Sequence, residues 1–181
     1  MKTSRLLGKC FGGVAVVAFG VWLCDPATAQ TQTNKFRVGV YDSRVVAVAY
    51  GNSTEFKEAM KPIEAEYKKA KEAKDEKRMK EIDSQMKLRQ RRAHEQGFST
   101  GSVAPIMAMV KDSLPDIAKQ AGVQVIVSKW EVSHQASDVE VVDVTDKIIA
   151  LFHVNERGLK WCKDIQQKPP LPIEQITEHL D

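Results

Sequence analysis

Three short stretches of the chain have the hydrophobic pattern of β-strands. Apolar and polar or small residues alternate from Phe36 to Tyr41, with Phe36, Val38 and Val40 on one side. The segment from Val123 to Trp130 is rich in β-branched residues and partly alternates, and Val139 to Val144 has the same character. We therefore expect a small β-sheet body, combined with helices in an α+β fold.

A long charged segment, from Thr54 to Gln96, predicts thin helices. It has no glycine and a single proline, Pro62, where a kink is expected. Its few apolar residues form the narrow stripe that is typical of a coiled-coil seam. The stripe is interrupted at residues 74–78, which favours an antiparallel helical hairpin over 54–96 with its tip there. The alternative is one unbroken helix to Gln96, because nothing at 74–78 is a helix breaker.

The hairpin is expected to end at a clear break. Gly97 to Ser102 should interrupt the helix, and the broad apolar face of Val103 to Gln120 predicts a second helix that packs on the sheet. Pro115 should bend this helix and Gly122 should cap its end.

Capping residues predict two further short helices, and prolines predict an extended stretch in the C-terminal tail. Asp42 and Ser43 can cap a short helix near Arg44, and Thr145 can cap another that runs to Phe152. We divide the chain into a body of residues 35–53 and 102–155 around the hairpin, followed by a C-terminal tail of residues 156–181. In the tail we expect a helix over 156–166 and an extended, polyproline-like stretch at 168–172.

The first 29 residues have the three parts of a secretory signal peptide. A positive start precedes about fifteen apolar residues, and an Ala-Thr-Ala site follows. The apolar run is shorter than the roughly 20 residues of a membrane-spanning helix, although an uncleaved anchor remains the alternative. No later stretch is long and apolar enough to span a bilayer. We expect export, a working chain that begins near Gln30, and no integral membrane span.

Removing the signal changes the charge argument. The whole chain has a net charge of +3, of which residues 1–29 contribute a large part. The net positive charge of the whole chain is therefore no argument that the protein binds nucleic acid. Two of the three cysteines also lie in that segment. Cys162 is left without an intramolecular partner, which excludes a disulfide framework and predicts a buried apolar residue.

Residues that could carry chemistry form no recognisable constellation. The chain has no glycine-rich phosphate loop, no nucleophile elbow and no zinc-ligand spacing. Ser99, Thr100 and Ser102 follow His94, but such residues more often break and cap helices than attack substrates. Asp143 and Asp146 flank Thr145 and favour a strand-end cap over an acid/base pair. We therefore predict no enzyme, no metal and no cofactor. The scattered histidines are His94, His134, His153 and His179.

Three short motifs resemble the Skp/OmpH family of periplasmic chaperones over residues 35–152. They are the strand Lys35-Phe-Arg-Val-Gly-Val-Tyr-Asp-Ser43, the helix-glycine-strand passage Ile117-Ala-Lys-Gln-Ala-Gly-Val-Gln-Val-Ile-Val127, and Asp143-Val-Thr145 before the last helix. The expected hairpin is shorter here than in the best-known members of that family.

The resemblance implies a homotrimer in the periplasm that acts without ATP or cofactor. Three hairpins would project from a joint β body and hold unfolded outer-membrane or other envelope proteins. The alternative is a non-catalytic envelope adaptor that binds one folded partner through the hairpin or the tail. Residues that would contact clients are apolar or basic, although the apolar ones can equally fill the hairpin seam: Ile63, Tyr67, Lys68, Lys71, Met79, Ile82, Met86, Arg89 and Arg92.

Overall fold

The computed structural model describes residues 35–177, which belong to one compact unit. The expected signal peptide, residues 1–29, lies outside the described residues. Three strands form the sheet: β1 (Arg37–Tyr41), β2 (Val125–Ser128) and β3 (Glu140–Asp143). Helices and a small sheet occur together, so the α+β class is confirmed.

The sheet is parallel throughout, with β1 between β2 and β3. Val38 lies opposite Val125 on one side and Val141 on the other. Because side chains alternate along a strand, these three valines share one face of the sheet. The opposite face contains Tyr41 and contacts the hydrophobic core.

The core is centred on the first helix, α1 (Ser43–Gly51). Val45, Val46 and Ala49 have no exposed surface. The Asp42 side chain caps the helix by accepting a hydrogen bond from the backbone N–H of Arg44, as predicted. Strand β1 thus leads directly into a capped helix that lies in the centre of the body.

Two long helices follow, α2 (Thr54–Glu72) and α3 (Glu76–Phe98). They contact each other and are joined by residues 73–75, where Lys74 has a positive φ of 54°. Ser53 caps α2 and Asp75 caps α3. The alternative of one unbroken helix is wrong, because Asp75 supplies the N-terminal cap of a new helix.

Helix α2 continues past Pro62 to Glu72. One expectation about α3 needs correction. Helix α3 continues through Gly97, which is buried against α1, so the expected break begins only at Ser99. A Cβ atom at Gly101 would lie 2.9 Å from the Glu95 backbone, so glycine is required where the chain turns back over the end of α3.

The predicted helix from Val103 to Gln120 is wrong as a single element. It consists of α4 (Ala104–Met109), a 3₁₀ turn (Lys111–Ser113) and α5 (Leu114–Ala121). Pro115 lies in the first turn of α5, where proline starts a helix and does not bend one. Gly122 ends α5 with a φ of 64°, which confirms the predicted cap.

Thr145 does not cap the next helix, α6 (Thr145–Ile149), which ends before Phe152. Its hydroxyl oxygen instead accepts a hydrogen bond from the Asp42 backbone N–H at 3.0 Å. At the start of the helix it is the Asp143 carboxylate that accepts a hydrogen bond, from the Thr145 backbone N–H at 2.8 Å. The hydroxyl therefore joins the ends of β1 and β3.

The C-terminal tail packs on the body. Helix α7 (Glu156–Gln166) is confirmed over its predicted range and contacts α1, and a short helix, α8 (Ile173–Thr177), was not predicted. Cys162 is buried, and burial, with a smaller contribution from Asp146, raises the pKa of its thiol to about 11. Within residues 35–177, no helix is long and apolar enough to cross a membrane.

Candidate functional site

A groove of about 1070 Å³ opens between α1, α2, α3 and α4. Its apolar lining comes from all four helices. Tyr50 and Phe56 meet edge to face, with ring centroids 5.5 Å apart, and Tyr50 also meets Phe152 of the core at 5.9 Å. This aromatic contact connects one wall of the groove to the body. The larger apolar residues of the lining are Tyr50, Phe56, Met60, Met86, Ile106 and Met109.

Methionine is prominent in this lining. Met60 and Ile106 are nearly buried, Met86 is half-buried, and Met109 is 53% exposed. Unbranched methionine side chains adapt to ligands of different shape. The groove therefore combines a rigid aromatic wall with a deformable apolar surface.

The charged lining is predominantly basic. Lys80, Lys87, Arg89 and Arg92 line the groove, against a single carboxylate, Asp83. All four cations are exposed, and none forms an ion pair with any residue between 35 and 177. Their positive charge is thus free to interact with an acidic ligand.

Most of the charged lining lies on α3. Groove residues on this helix extend from Lys80 to Gln96, a length of about 24 Å at the rise of an α-helix. Such a groove accommodates about seven residues of extended chain, or a helical segment of about four turns.

The nine sequence-predicted client-binding residues divide into three sets. Met86, Arg89 and Arg92 line the groove. Ile82 is 2% exposed, whereas Ile63 and Met79 are half-buried and Tyr67 is 36% exposed. Lys68 and Lys71 are exposed on α2 and do not line the groove. The structure thus brings three of the nine together at one place.

Sequence reasoning missed the rest of the lining. Tyr50 lies in α1 and Phe56 in α2, whereas Ile106 and Met109 lie in α4, so the four belong to no common periodic stripe. The local signal that could have indicated them is the number of methionines within and after the charged segment: Met60, Met79, Met86, Met107 and Met109.

A second constellation lies at the carboxyl ends of the strands, where Asp42 is 1% exposed. Its carboxylate accepts from Arg44 at 2.9 Å, from Lys129 at 2.8 Å and from the indole N–H of Trp130 at 2.9 Å. Burial alone would raise the pKa of Asp42, but hydrogen bonds from these three residues lower it to about 2. The carboxylate is fully engaged within the protein and is a structural anchor.

Arg44 extends this anchor to the tail. Its guanidinium donates to the Lys168 carbonyl at 2.9 Å and to the Ile165 carbonyl at 3.3 Å, and it lies over the Trp130 ring at 4.7 Å. Because arginine holds five donors in a fixed plane, one residue can join α1, the end of β2 and the end of α7.

The candidate chemical residues are dispersed. His153 pairs with Glu55 at 2.6 Å, His94 meets Phe98 edge to face, and the Ser102 hydroxyl accepts from the Ala104 N–H as a local cap. His179 lies outside the described residues. Among residues 35–177, no group of three or more His, Cys, Asp or Glu side chains could hold a metal ion.

No protein-family model, curated protein or solved structure matches this chain. The resemblance to Skp/OmpH chaperones therefore remains a prediction from three short motifs.

Proposed function

We propose that this protein is an ATP-independent, holdase-type chaperone of the periplasm that binds unfolded outer-membrane or other envelope proteins. The observation that carries the proposal is the groove beside α3, which has an apolar, methionine-rich lining and four unpaired basic side chains. A polypeptide segment with alternating apolar and acidic residues fits both properties.

The form of the groove favours a polypeptide over a small metabolite. It is an open trough along about 24 Å of helix, and its largest polar groups are long, exposed side chains such as Lys87 and Arg89. Sites for small molecules usually enclose most of the ligand and place a few polar groups in fixed positions. Adaptable contacts along an open trough suit many sequences at modest affinity.

The slenderness of α2 and α3 supports the proposed self-association. Of the many side chains on these helices, the buried hydrophobic ones are Met60, Ala70 and Ile82. Two helices that bury so little need additional partners for stability. A homotrimer in which three such pairs surround a client would supply them.

The face of the sheet away from the core is partly exposed and offers a surface for that association. Phe36, Val125 and Val141 are 53%, 38% and 41% exposed. Sheets with only parallel strands are normally covered on both faces. Contact between the exposed faces of several copies would complete the burial.

The decisive test is suppression of aggregation. The chain from Gln30 onward, at several-fold excess and without ATP, should keep a denatured outer-membrane β-barrel protein soluble, as followed by light scattering. The effect should weaken as salt increases, because the basic residues are exposed. No suppression at any salt concentration would refute the proposal.

Two matched double variants locate the binding surface. Arg89→Gln with Arg92→Gln removes two charges from the groove, whereas Lys68→Gln with Lys71→Gln removes two from exposed positions of α2. We expect the arginine variant to lose most of the salt-sensitive suppression and the lysine variant to retain it. Equal loss in both would contradict the groove as the binding surface. Capture of one dominant folded protein from a periplasmic extract would instead favour the adaptor function.

A further inference from the structure

A second pocket, of about 450 Å³, lies at the carboxyl edge of the parallel sheet. It is lined by Tyr41 at the end of β1, Ser43 at the start of α1 and Ser128 at the end of β2, together with residues 100–104 and α4. In open sheets with parallel strands, ligands bind in crevices outside the carboxyl ends of the strands. The volume is within the usual range for small-molecule sites.

Two hydroxyl groups that line this pocket have no partner among the described residues. Ser43 is 4% exposed and Tyr41 is 9% exposed, and neither side-chain hydroxyl is hydrogen-bonded to any residue of the described chain. Neighbouring hydroxyls differ: Ser128 accepts from the Trp130 N–H, and Ser102 accepts from the Ala104 N–H. Among the described residues, the buried side-chain nitrogen or oxygen atom without a partner is Arg37 Nε, so the two hydroxyl oxygens are accessible and are available to hydrogen-bond a ligand in the pocket.

Opposite charges complete the lining. Lys111 and Glu131 both line the pocket, both are exposed, and neither forms an ion pair with the other or with any residue in the range 35–177. After burial, the negative charge of Glu131 is the second cause of the raised pKa of Tyr41, so the carboxylate lies near that phenol. Lys111 and Glu131 thus line the same pocket with opposite charges and form no ion pair with each other.

We propose that this pocket binds a zwitterionic small molecule, a free amino acid or a dipeptide. Its carboxylate pairs with Lys111 and its ammonium group with Glu131, while the hydroxyls of Tyr41 and Ser43 hydrogen-bond the ligand between them. Charge-assisted hydrogen bonds at both ends select for a molecule that carries both charges.

This site is separate from the chaperone groove. The groove is lined on α4 by Ile106 and Met109, whereas the pocket is lined by Ala104, Met107 and Ala108 of the same helix. The two surfaces share no lining residue, so failure of one proposal leaves the other intact.

The test is titration calorimetry of the chain from Gln30 onward with free amino acids and with dipeptides, supported by thermal melts. We expect members of at least one class to bind at millimolar or tighter affinity. Comparison of the two classes shows whether the pocket takes a free amino acid or a dipeptide. The N-acetylated and the C-amidated forms of the best ligand should each bind about tenfold more weakly, because each lacks one charge.

Substitutions at exposed positions test the site without destabilising the fold. Lys111→Met and Glu131→Gln should each weaken binding about tenfold, whereas Lys119→Met, on α5 outside the pocket, should leave it unchanged. Tyr41→Phe should have a smaller effect of the same sign. The proposal is overturned if no amino acid or dipeptide binds, if the capped forms bind as well as the zwitterion, or if Lys111→Met binds like the unsubstituted chain.

Discussion

The body and the α2–α3 pair differ sharply in how they are stabilised. In the body, Val46, Val144 and Ile148 have no exposed surface, and even the ion pair of Asp42 with Arg44 is buried. On α2 and α3 most side chains are exposed, and the ion pairs lie at the surface. The body contains its own core, whereas the long helices contact the body at one end and, in the proposed function, associate with partners along the rest of their length. This division is typical of a rigid base that carries an adaptable binding element.

Breaking one ion pair in each region should give the largest contrast. Asp42→Ala leaves the buried Arg44 without its carboxylate and should lower the free energy of unfolding by about 3–5 kcal/mol. Glu66→Ala removes one of the two exposed carboxylate partners of Arg78, the other being Glu81, and should cost less than about 1 kcal/mol. Urea unfolding of both variants measures the difference, and similar losses would contradict the division.

Truncating one apolar side chain in each region should give a somewhat smaller contrast. Ile148→Ala removes a side chain with no exposed surface in the body, and we expect a loss of about 2–5 kcal/mol. Leu88→Ala, at a position of α3 that is 58% exposed, should change stability by no more than about 0.5 kcal/mol. Urea unfolding again provides the measurement, and a large loss for Leu88→Ala would show that α3 is buried in an assembly.

The dependence of stability on pH should also differ between the body and the α2–α3 pair. The folded-state pKa of Asp42, about 2, lies below its unfolded value, so its contribution to stability is complete above pH 4 and is lost as the pH falls from about 4 to 2. That contribution is on the order of 2 kcal/mol. Asp42→Asn should flatten the dependence of stability on pH in this window.

Glu55 at the start of α2 is the control. Its hydrogen bond with His153 is the main cause that lowers its pKa to about 2, but the pair is exposed and screened by solvent. Glu55→Gln should therefore change the acid profile much less than Asp42→Asn. If Glu55→Gln had the larger effect, the acid stability would not come from the body.

Local sequence patterns correctly predicted the features that depend on residues close together in the chain. The three strands, the cap formed by Asp42 and the range of α7 all depend on residues a few positions apart. Gly97 is helical against expectation because packing on α1 outweighs the low helix propensity of glycine.

Contacts between distant segments could not be predicted in this way. Thr145 was expected to cap its own helix, but its hydroxyl bonds Asp42, 103 positions away. The groove likewise joins Tyr50, Met86 and Ile106 from three helices, and the parallel direction of the strands follows from connections that no local pattern encodes.

Hydrogen exchange with and without a denatured outer-membrane protein tests the central claim most directly. We expect backbone amides of α3 between Lys80 and Gln96, and those at the start of α2, to gain protection when the client is added. The three strands of the sheet should remain unchanged. Unchanged protection along α3, or protection gained only around Lys68 and Lys71, would contradict the groove as the place where the client binds.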